Sequence, residues 1–349
     1  MDSLWDFPDF DAHELVHFVT DRDSGLRGVI AVHSTHRGPG AGGTRFWHYP
    51  RTGDAVADVL RLARGMSYKN AMAGLPMGGA KAVILADADR TKSPAMLAAW
   101  GRAIDGLGGR YVTAEDVGMT VGDMVAIARE TRFVSGLPAA AGAPGGDPGP
   151  FTSDGVYLGI RAAIRRALGK DDVAGLHIAI QGVGSVGCGV ARLAARDGAR
   201  VTLADVDTAR AQAVADEVGA QVIPADEIMT IEADLLSPCA LGAILDEKAI
   251  AALRVPIVAG GANNQLATDA DGDRIHRRGI LYAPDYVINA GGIINVSYEF
   301  LGERDESIVR DRIDGIPARL ETIWDESAAT GRAAATVADD MARKLIGRG

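Results

Sequence analysis

The sequence of 349 residues has little of what several classes of protein require. Its two cysteines, Cys188 and Cys239, are too few for a disulfide framework. Its 36 lysine and arginine residues are outnumbered by 46 aspartates and glutamates, so the basic excess that binds nucleic acids and anionic membranes is missing. No apolar run is long enough to span a bilayer, and the N-terminus carries acids where a signal peptide carries positive charge. We therefore expect a cytoplasmic protein with reduced thiols and with neither a nucleic-acid nor a membrane partner.

Aromatic residues make up only 5% of the chain, whereas glycine is abundant, at 44 residues. Many glycines form pairs at the ends of apolar runs, such as Gly42-Gly43, Gly78-Gly79 and Gly260-Gly261. Glycines in such places commonly mark points where the backbone closely approaches another backbone or a ligand. The length exceeds what a single core usually serves, so two domains are predicted.

The first part of the chain alternates predicted strands and helices without a regular parallel rhythm. Strands are predicted at residues 25–32, 81–85 and 110–113, and helices at residues 54–66, 93–107 and 121–130. We predict a mixed sheet for this domain. The segment HELVH spaces His13 and His17 as one face of a helix, and because a third ligand is missing nearby we expect no metal site.

A regular strand–helix alternation begins after the Gly/Pro-rich segment at residues 136–150. Helices are predicted at residues 153–169, 185–197 and 208–218, and strands at residues 177–181, 200–204, 221–223, 233–236, 255–259 and 280–282. Such an alternation predicts a doubly wound parallel sheet. The fold class is therefore α/β with two domains, an N-terminal mixed sheet and a Rossmann-type parallel sheet.

The turn after the first strand of the second domain carries a dinucleotide-binding fingerprint. Gly182, Gly184 and Gly187 form G-x-G-x-x-G, which also includes Ser185 and Val186, between a predicted strand and a predicted helix. The first glycine permits the tight turn, the second lets a pyrophosphate approach, and the third lets the helix pack on the strand. The N-terminus of the helix then faces the phosphates.

Asp205 ends the next predicted strand, where its carboxylate can accept hydrogen bonds from both hydroxyls of an adenosine ribose. The same negative charge would repel a 2′-phosphate, so NAD is predicted as the cofactor in preference to NADP. Asp207 is the alternative partner of the ribose if the strand ends later.

The Gly/Pro-rich segment is predicted to be both a domain boundary and the hinge of a closing movement. We predict a substrate and catalytic domain at residues 1–136 and an NAD-binding domain at residues 137–321. The helical residues 322–349 are predicted to return and pack on the first domain.

Two lysines and one aspartate of the first domain are candidates for chemistry. Lys81 follows a glycine pair and begins an apolar strand, and Lys69 lies in SYKNAMAG. A lysine drawn into a cleft can act as a base or bind an anion, but a strand-end lysine that faces water fits the same pattern. Asp116, in TAEDVG, is equally open, because an acid after a strand often caps the next helix.

Seven motifs in a fixed order settle much of this ambiguity. They are GGTR at residues 42–45, RLARGMSYKNAMAGLPMGGAKAVI, TAEDVG, QGVGSVG, SPCALG, GGANNQL and LYAPDYVINAGG. Together they resemble the leucine/valine/phenylalanine dehydrogenase branch of the amino-acid dehydrogenase superfamily, which includes glutamate dehydrogenase. The resemblance covers nearly the whole chain. It implies NAD-dependent, reversible oxidative deamination of an L-amino acid to its 2-oxo acid and ammonia, by an enzyme that is at least a dimer.

The resemblance also implies roles for single residues by motif position. Lys69 would hold the substrate carboxylate, with Gly43 also in the substrate site. Lys81 would polarise the carbonyl or activate the water that attacks the imino acid, and Asp116 would exchange protons with the amino group and that water. The cofactor would contact Thr152, Pro238, Cys239, Ala240, Asn263 and Asn289, and the substrate would contact Asn264. For each asparagine, the alternative is a turn residue that bonds its own backbone.

The pocket for the substrate side chain is apolar by the same resemblance, with walls formed by Ala41, Met66, Ala114, Ile293 and Val296. Glutamate is disfavoured, because an unpaired carboxylate would be costly to bury. Ile293 and Val296 resemble the branched-chain enzymes, which favours leucine, valine or isoleucine. Ala41 stands where the family commonly carries leucine, and the extra space leaves phenylalanine as the alternative substrate.

Two hypotheses from other classes are open at this stage. A non-catalytic NAD-binding regulator would need only the dinucleotide domain, and a 2-hydroxy-acid dehydrogenase would add a His–acid pair that does not follow the fingerprint here. The presence of Lys69, Lys81 and Asp116 favours the amino-acid dehydrogenase. Ala80 and Met119 depart from the family pattern, but neither removes a functional group.

Overall fold

The structure is a computed structural model that describes residues 3–89, 91–240 and 242–349. It divides into two compact units. Unit 1 contains the chain up to Pro148 together with Ile293–Val309 and Ala342–Gly349, and unit 2 contains Gly149–Gly292 and Arg310–Met341. Within the residues so described, no helix combines the length and the apolar character that a membrane span needs.

Unit 1 is built on a mixed sheet, as the sequence predicts. Its strands are β1 (Leu15–Asp21), β2 (Leu26–Ser34), β3 (Gly40–Ala41), β4 (Thr44–Trp47), β5 (Gly78–Leu85) and β6 (Tyr111–Val112). The order is β1-β2-β5-β3-β6, and β4 also pairs with β5. β2 is antiparallel to β1 and β5, whereas β3 and β4 run parallel to β5. β5 is buried along nearly its whole length because strands and helices surround it.

The helices of this part of unit 1 cover both faces of the sheet. They are α1 (Thr52–Met72), α2 (Pro94–Asp105) and α3 (Val121–Ile127). Alternate residues of a strand point to opposite faces, and the core divides accordingly. Val83 of β5 packs with Val59 and Leu60 of α1, whereas its neighbour Ile84 packs with Trp100 of α2. α1 runs to Met72, beyond the predicted end at residue 66.

The helix predicted around HELVH is wrong. Leu15–Asp21 is instead the edge strand β1, which pairs with β2 from Leu15 to Asp21 in an unbroken register. The histidine spacing that suits a helix face has no such meaning in a strand. His13 precedes β1 and is buried, with its Nε2 atom 2.9 Å from the carbonyl oxygen of Leu60.

Unit 2 contains the predicted doubly wound parallel sheet. Its strands are β7 (His177–Gln181), β8 (Arg200–Ala204), β9 (Gln221–Val222), β10 (Leu235–Pro238), β11 (Ile257–Val258) and β12 (Leu281–Tyr282). The order is β12-β11-β10-β7-β8-β9, and neighbouring strands are parallel throughout. In the order along the chain, this is the 3-2-1-4-5-6 arrangement of dinucleotide-binding sheets.

The remaining helices are α4 (Gly149–Leu168), α5 (Ser185–Arg196), α6 (Thr208–Val218), α7 (Glu247–Ala252), α8 (Asp269–Arg277), α9 (Asp285–Ile288), α10 (Gly291–Phe300), α11 (Glu306–Asp314), α12 (Ile316–Thr330) and α13 (Ala334–Leu345). The division between the units falls inside α10, α11 and α13.

The first unit extends to Pro148, past the predicted boundary at residue 136. The reason is a set of polar contacts between the Gly/Pro-rich segment and α10. The Glu299 carboxylate accepts the backbone N–H of Gly136 at 2.7 Å and that of Leu137 at 2.9 Å. The Asn295 amide both accepts from and donates to the backbone of Gly145, each at 2.9 Å. These contacts attach residues 136–145 to unit 1.

The predicted return of residues 322–349 to the first domain is too broad. α12 belongs to unit 2, where Trp324 Nε1 donates to the carbonyl oxygen of Tyr282 at 2.8 Å. Only Ala342–Gly349 belongs to unit 1. There Arg348 donates to the carbonyl oxygens of Asp11 at 2.6 Å and His33 at 2.7 Å.

Candidate active site

The two candidate lysines lie on elements that pack closely against each other. Gly79 of β5 faces Ser67 of α1, and a β-carbon at position 79 would collide with the Ser67 backbone nitrogen. Lys81 follows Gly79 along β5, and Lys69 follows Ser67 in the last turn of α1. Only glycine permits this approach, so Gly79 fixes how the segments that carry the two lysines are placed.

Lys81 and Asp116 form a buried ion pair. The Nζ atom of Lys81 lies 2.9 Å from Oδ1 of Asp116, and the two side chains are only 8% and 18% exposed. The other carboxylate oxygen, Oδ2, accepts from Nε of Arg45 at 3.0 Å. Burial alone would raise the pKa of Asp116, but the positive charges of Lys81 and Arg45 outweigh it and lower that pKa to about 2. Asp116 is therefore an anion held between two cations.

Arg45 is itself held on its far side by Asp58 of α1. Nη1 of Arg45 donates to Oδ2 of Asp58 at 2.7 Å, and the Tyr49 hydroxyl donates to the same oxygen at 2.7 Å. Arg61 donates to Oδ1 of Asp58 at 3.3 Å. The guanidinium of Arg45 thus bridges two carboxylates, and this fixes the direction from which it reaches Asp116.

The loop that carries Asp116 rests on a buried polar network. The Thr44 hydroxyl lies 2.8 Å from that of Thr113 and accepts from Trp100 Nε1 at 3.1 Å. The Tyr111 hydroxyl donates to the carbonyl oxygen of Gly42 at 2.9 Å. Every polar group in such a network has a partner, so it rigidifies the backbone that leads to Asp116.

Asp116 does not serve as the helix cap that its position allows. The cap of α3 is Thr120, whose side chain forms a reciprocal capping box with Asp123. Gly43 adjoins Asp116 instead, since a β-carbon at position 43 would lie 2.9 Å from Cβ of Asp116.

The predicted walls of the side-chain pocket are all in unit 1. Ala41, Ala114 and Val296 are buried, and Met66 and Ile293 are half-buried. Around Ala41 the backbone is held by α1, because Nδ2 of Asn70 donates to the carbonyl oxygens of Gly78 at 2.5 Å and Ala41 at 3.3 Å. Met66 lies beside the next residue, where a β-carbon on Gly42 would approach its Cγ to 3.1 Å.

The two departures from the family pattern are core residues. Ala80 and Met119 both pack in the hydrophobic cluster that contains Trp100. Neither side chain is exposed by more than 8%. Both positions thus serve the packing beneath the site.

In unit 2 the fingerprint forms the expected strand–turn–helix. Gly182 directly follows β7 with a left-handed φ of 90°, and a β-carbon at Gly187 would collide with the Gly182 carbonyl oxygen. α5 begins at Ser185, with Gly184 as its N-terminal cap. Gly184 and Ser185 are exposed and Val186 is half-buried.

Asp205 directly follows β8, as predicted, and its side chain is only 5% exposed. Its Oδ2 atom accepts from the backbone N–H of Val183 in the fingerprint turn at 2.8 Å. Burial raises the pKa of Asp205, but the backbone N–H groups of Val183 and Asp207 and the Arg210 guanidinium lower it overall. Asp207, the alternative ribose partner, instead caps α6 by accepting from the Arg210 backbone at 3.0 Å.

The other predicted cofactor residues lie at or after the ends of these strands and in α4. Pro238 ends β10 and is buried, Cys239 is half-buried and Ala240 is exposed. Burial raises the pKa of the Cys239 thiol, which argues against a nucleophilic thiolate. Thr152 lies half-buried in the first turn of α4.

The three predicted asparagines gather after β11 and α9. Nδ2 of Asn289 donates to Oδ1 of Asn263 at 2.8 Å and to the carbonyl oxygen of Gly261 at 3.1 Å. Asn264 has a left-handed φ of 51°. This backbone conformation is typical of the turn residue that the sequence leaves open as the alternative to a binding role. Among the described residues, Oδ1 of the buried Asn289 has no hydrogen-bond partner.

These residues fit a dinucleotide. A β-carbon at Gly184 would have no atom within 4 Å, so the N-terminus of α5 is open to a phosphate group. Asp205 stands at the position that reads the ribose, and the unpaired Asn289 oxygen can accept a hydrogen bond from a carboxamide or hydroxyl. Gly184, Asp205 and Asn289 are thus the residues that would hold its phosphate, ribose and nicotinamide ends.

Sequence reasoning did not single out two arginines of these sites. The sequence shows Arg45 only as part of the GGTR motif. Its place on a strand between the buried residues Thr44 and Phe46 indicates that its side chain points to the face opposite theirs. Arg210 follows the cap residue of α6, and the sequence carries no signal that it turns back to Asp205, which it reaches at 2.8 Å.

Comparison with known proteins agrees with this geometry. The family model described as "Glu/Leu/Phe/Val dehydrogenase, dimerisation domain" matches residues 13–133, and "Glutamate/Leucine/Phenylalanine/Valine dehydrogenase" matches residues 202–342. A leucine dehydrogenase of Bacillus cereus is 45% identical over 334 residues, covering 96% of this chain and 91% of the relative. A valine dehydrogenase of Streptomyces albus is 47% identical over 294 residues, covering 83% and 80%. The solved structure of the L-tryptophan dehydrogenase from Nostoc punctiforme has a TM-score of 0.81 at 38% identity, covering 96% of both chains.

A mixed-sheet unit with a buried lysine–aspartate pair and a Rossmann-type unit with an aspartate beside its glycine-rich turn define an NAD-dependent oxidoreductase that acts on amino acids. The chain belongs to the Glu/Leu/Phe/Val dehydrogenase family. The resemblance that the seven motifs indicate is confirmed, and so are the α/β fold class and the choice of NAD as cofactor.

Proposed function

We propose that this protein catalyses the reversible, NAD-dependent oxidative deamination of leucine, valine or isoleucine to the 2-oxo acid and ammonia. The observation that carries the proposal is the buried Lys81–Asp116 pair at 2.9 Å, which sets a potential base beside a fixed negative charge. The relatives at 45% and 47% identity are named leucine and valine dehydrogenase.

In this proposal each charged residue of unit 1 has a distinct task. Lys69 binds the substrate carboxylate. Asp116, which the positive charges of Lys81 and Arg45 keep ionised at rest, exchanges protons with the substrate amino group and the attacking water and orients Lys81. Lys81 takes the proton of the water that attacks the imino carbon. Gly43, where a β-carbon would collide with the loop at Asp116, also contacts the substrate.

The residues of unit 2 position the cofactor. When bound there, NAD would supply the acceptor for the hydride that leaves the substrate Cα. Asp205 would accept from the adenosine ribose, and the backbone at Gly184, Ser185 and Val186 would face the pyrophosphate. Further contacts are proposed for Thr152, Pro238, Cys239, Ala240, Asn263 and Asn289, and for Asn264 toward the substrate.

The substrate side chain would meet only apolar walls, at Ala41, Met66, Ala114, Ile293 and Val296. The β-branched Ile293 and Val296 favour branched aliphatic substrates. Ala41 is small and supports phenylalanine as the second candidate. An apolar pocket discriminates one methylene by only about 1–3 kcal/mol, so activity toward several of these amino acids is expected.

We further propose a cytoplasmic homo-oligomer of at least two subunits, without a nucleic-acid or membrane partner. The family model over residues 13–133 is described as a dimerisation domain. β1 is an edge strand, and its Phe18 side chain is 54% exposed, an arrangement that pairing with a second copy would protect. Light scattering that returns the mass of one chain would contradict this assembly.

The test is a panel of apolar L-amino acids, with NADH formation from NAD⁺ measured at alkaline pH. Leucine, valine or isoleucine should give the highest kcat/KM, whereas a more than tenfold preference for phenylalanine would select the second candidate. Lys81→Ala should lower kcat about 10²–10⁴-fold. Lys92→Ala is the matched control, because Lys92 also pairs with an aspartate of unit 1, Asp123 in the first turn of α3. The proposal is wrong if Lys81→Ala behaves like Lys92→Ala, or if no apolar amino acid is oxidised.

A further inference from the structure

Asp205 already has an arginine partner. In the described structure its carboxylate accepts three hydrogen bonds: Oδ2 from the Val183 backbone at 2.8 Å, and Oδ1 from the Asp207 backbone at 2.9 Å and from Nη2 of Arg210 at 2.8 Å. Arg210 lies in the first turn of α6 and its side chain is 48% exposed. The carboxylate whose negative charge disfavours NADP is therefore in contact with a cation.

The three contacts leave too little room for both ribose hydroxyls. A carboxylate has about four lone-pair sites, and two hydroxyls need two of them. The donors on Val183 and Asp207 are backbone N–H groups fixed by the fingerprint turn and by the start of α6. Arg210 donates from a flexible, half-exposed side chain. It is the donor that must release Oδ1 when the ribose binds.

A guanidinium released from Oδ1 of Asp205 stays within reach of the ribose. The reason is that the backbone N–H of Arg210 donates to Oδ1 of Asp207 at 3.0 Å and so holds Arg210 at the start of α6. Arginine binds phosphate through two parallel N–H donors. We propose that Arg210 is a second determinant of cofactor choice, which offers its guanidinium to a 2′-phosphate and lets this enzyme bind NADP as well as NAD.

The neighbouring charges keep NAD preferred. Asp205 and Asp207 both lie within hydrogen-bond reach of Arg210, one by its side chain and one by its backbone. A 2′-phosphate would thus meet one cation and two carboxylates. We expect a measurable but weaker affinity for the phosphorylated dinucleotide, which Arg210 alone sustains. This inference rests on the proposed placement of the ribose at Asp205.

The experiment measures dissociation constants of the full-length protein for NADH and NADPH by nicotinamide fluorescence, without substrate. Arg210→Ala should weaken NADPH binding about tenfold, since a charge-assisted hydrogen bond is lost, and should change NADH binding less than about threefold. Arg192→Ala is the matched control: it removes an equally exposed arginine of unit 2 that pairs with Glu217. Both constants should stay within about twofold of the parent there.

The inference is overturned if Arg210→Ala changes both constants by the same factor, or weakens NADH more than NADPH. Asp205→Ala separates this result from the placement of the ribose. Unchanged NADH binding in Asp205→Ala would overturn the ribose site itself, and the inference with it. Weakened NADH binding in Asp205→Ala, together with an unchanged NADPH-to-NADH ratio in Arg210→Ala, would overturn only the role of Arg210.

Discussion

Nε of Arg45 lies 3.0 Å from Oδ2 of Asp116, while Lys81 occupies the other oxygen of the same carboxylate. One anion is thus shared by two cations, and the second cation is fixed by Asp58 at 2.7 Å. Asp116 depends on both partners for its charge and its orientation. Arg45 therefore belongs to the proposed catalytic site, although it is connected to Lys81 through Asp116.

Replacement of this arginine tests that dependence. Arg45→Gln removes a charge that lowers the pKa of Asp116, so the pKa should rise. In the parent protein Asp116 stays ionised far below neutral pH, whereas in Arg45→Gln the raised pKa should bring its protonation closer to the working range. The ratio of kcat/KM in Arg45→Gln to that in the parent protein should therefore fall as the pH is lowered from about 7 to about 5. Arg61→Gln, which removes another partner of Asp58, should keep this ratio constant with pH, and equal pH dependence in the two variants would contradict the role of Arg45.

The size of residue 41 should set the preference between aliphatic and aromatic substrates. Ala41→Leu adds three carbon atoms at the end of β3 and should raise the ratio of kcat/KM for leucine over that for phenylalanine about tenfold or more, since single methylenes are worth about 1–3 kcal/mol. NADH affinity is the control and should not change, because the cofactor residues lie in unit 2. An unaltered substrate ratio would remove Ala41 from the pocket wall.

The approach of β5 to α1 should be sensitive to a single methyl group. Gly79→Ala places a β-carbon against the Ser67 backbone, and overpacking of this kind costs about 1–3 kcal/mol or more. The melting temperature and the activity should fall together, because the segments that carry Lys69 and Lys81 are displaced. Gly53→Ala, in the first turn of α1 with no atom within 4 Å of its β-carbon, is the control and should leave the melting temperature unchanged or raise it. Equal melting temperatures for the two variants would contradict the tight contact.

A buried histidine should make the protein sensitive to mild acid. His33 is fully buried, and burial together with the charge of Arg348 lowers its pKa to about 3. In the unfolded chain His33 takes up a proton near its ordinary pKa of 6.5, whereas in the folded chain it does so only near its lowered pKa of about 3. Stability is therefore complete above 6.5 and declines below it, by at most about 1.4 kcal/mol per pH unit.

His33→Gln should flatten the dependence of the melting temperature on pH between about 6.5 and 4. His17→Gln, on the edge strand β1, is the control and should keep the slope of the parent protein. If the slope survives in His33→Gln, another group is responsible for the acid sensitivity.

The sheet types and the placement of the candidate residues could be predicted because their signals are local. Strand–helix alternation and the fingerprint around Gly182 identify the parallel unit, and Asp205 follows its strand as expected. The motif resemblance correctly brought Lys81 and Asp116 together, although composition and spacing left both open. Each of these predictions depends on a short sequence motif or pattern that is typical of one local structure.

The predictions that failed depend on contacts between distant segments. The spacing of His13 and His17 favours a helix, and only the pairing of β1 with β2 decides for a strand. The boundary between the units lies beyond the predicted residue 136. The reason is that Glu299, 163 residues further along the chain, accepts a hydrogen bond from the backbone N–H of Gly136. Arg45 and Arg210 likewise acquire their roles from carboxylates that the fold brings to them.

The attachment of α10 to residues 136–145 by Glu299 and Asn295 bears on two kinds of specificity, for the amino acid and for the coenzyme. It assigns Ile293 and Val296 to the same unit as Ala41, Met66 and Ala114, while Asp205 and Arg210 belong to the other. The residues proposed to set amino-acid scope and those proposed to set coenzyme scope thus belong to different units. Substitutions that share no partner usually add in free energy, so we expect that both traits can be changed together in one engineered catalyst.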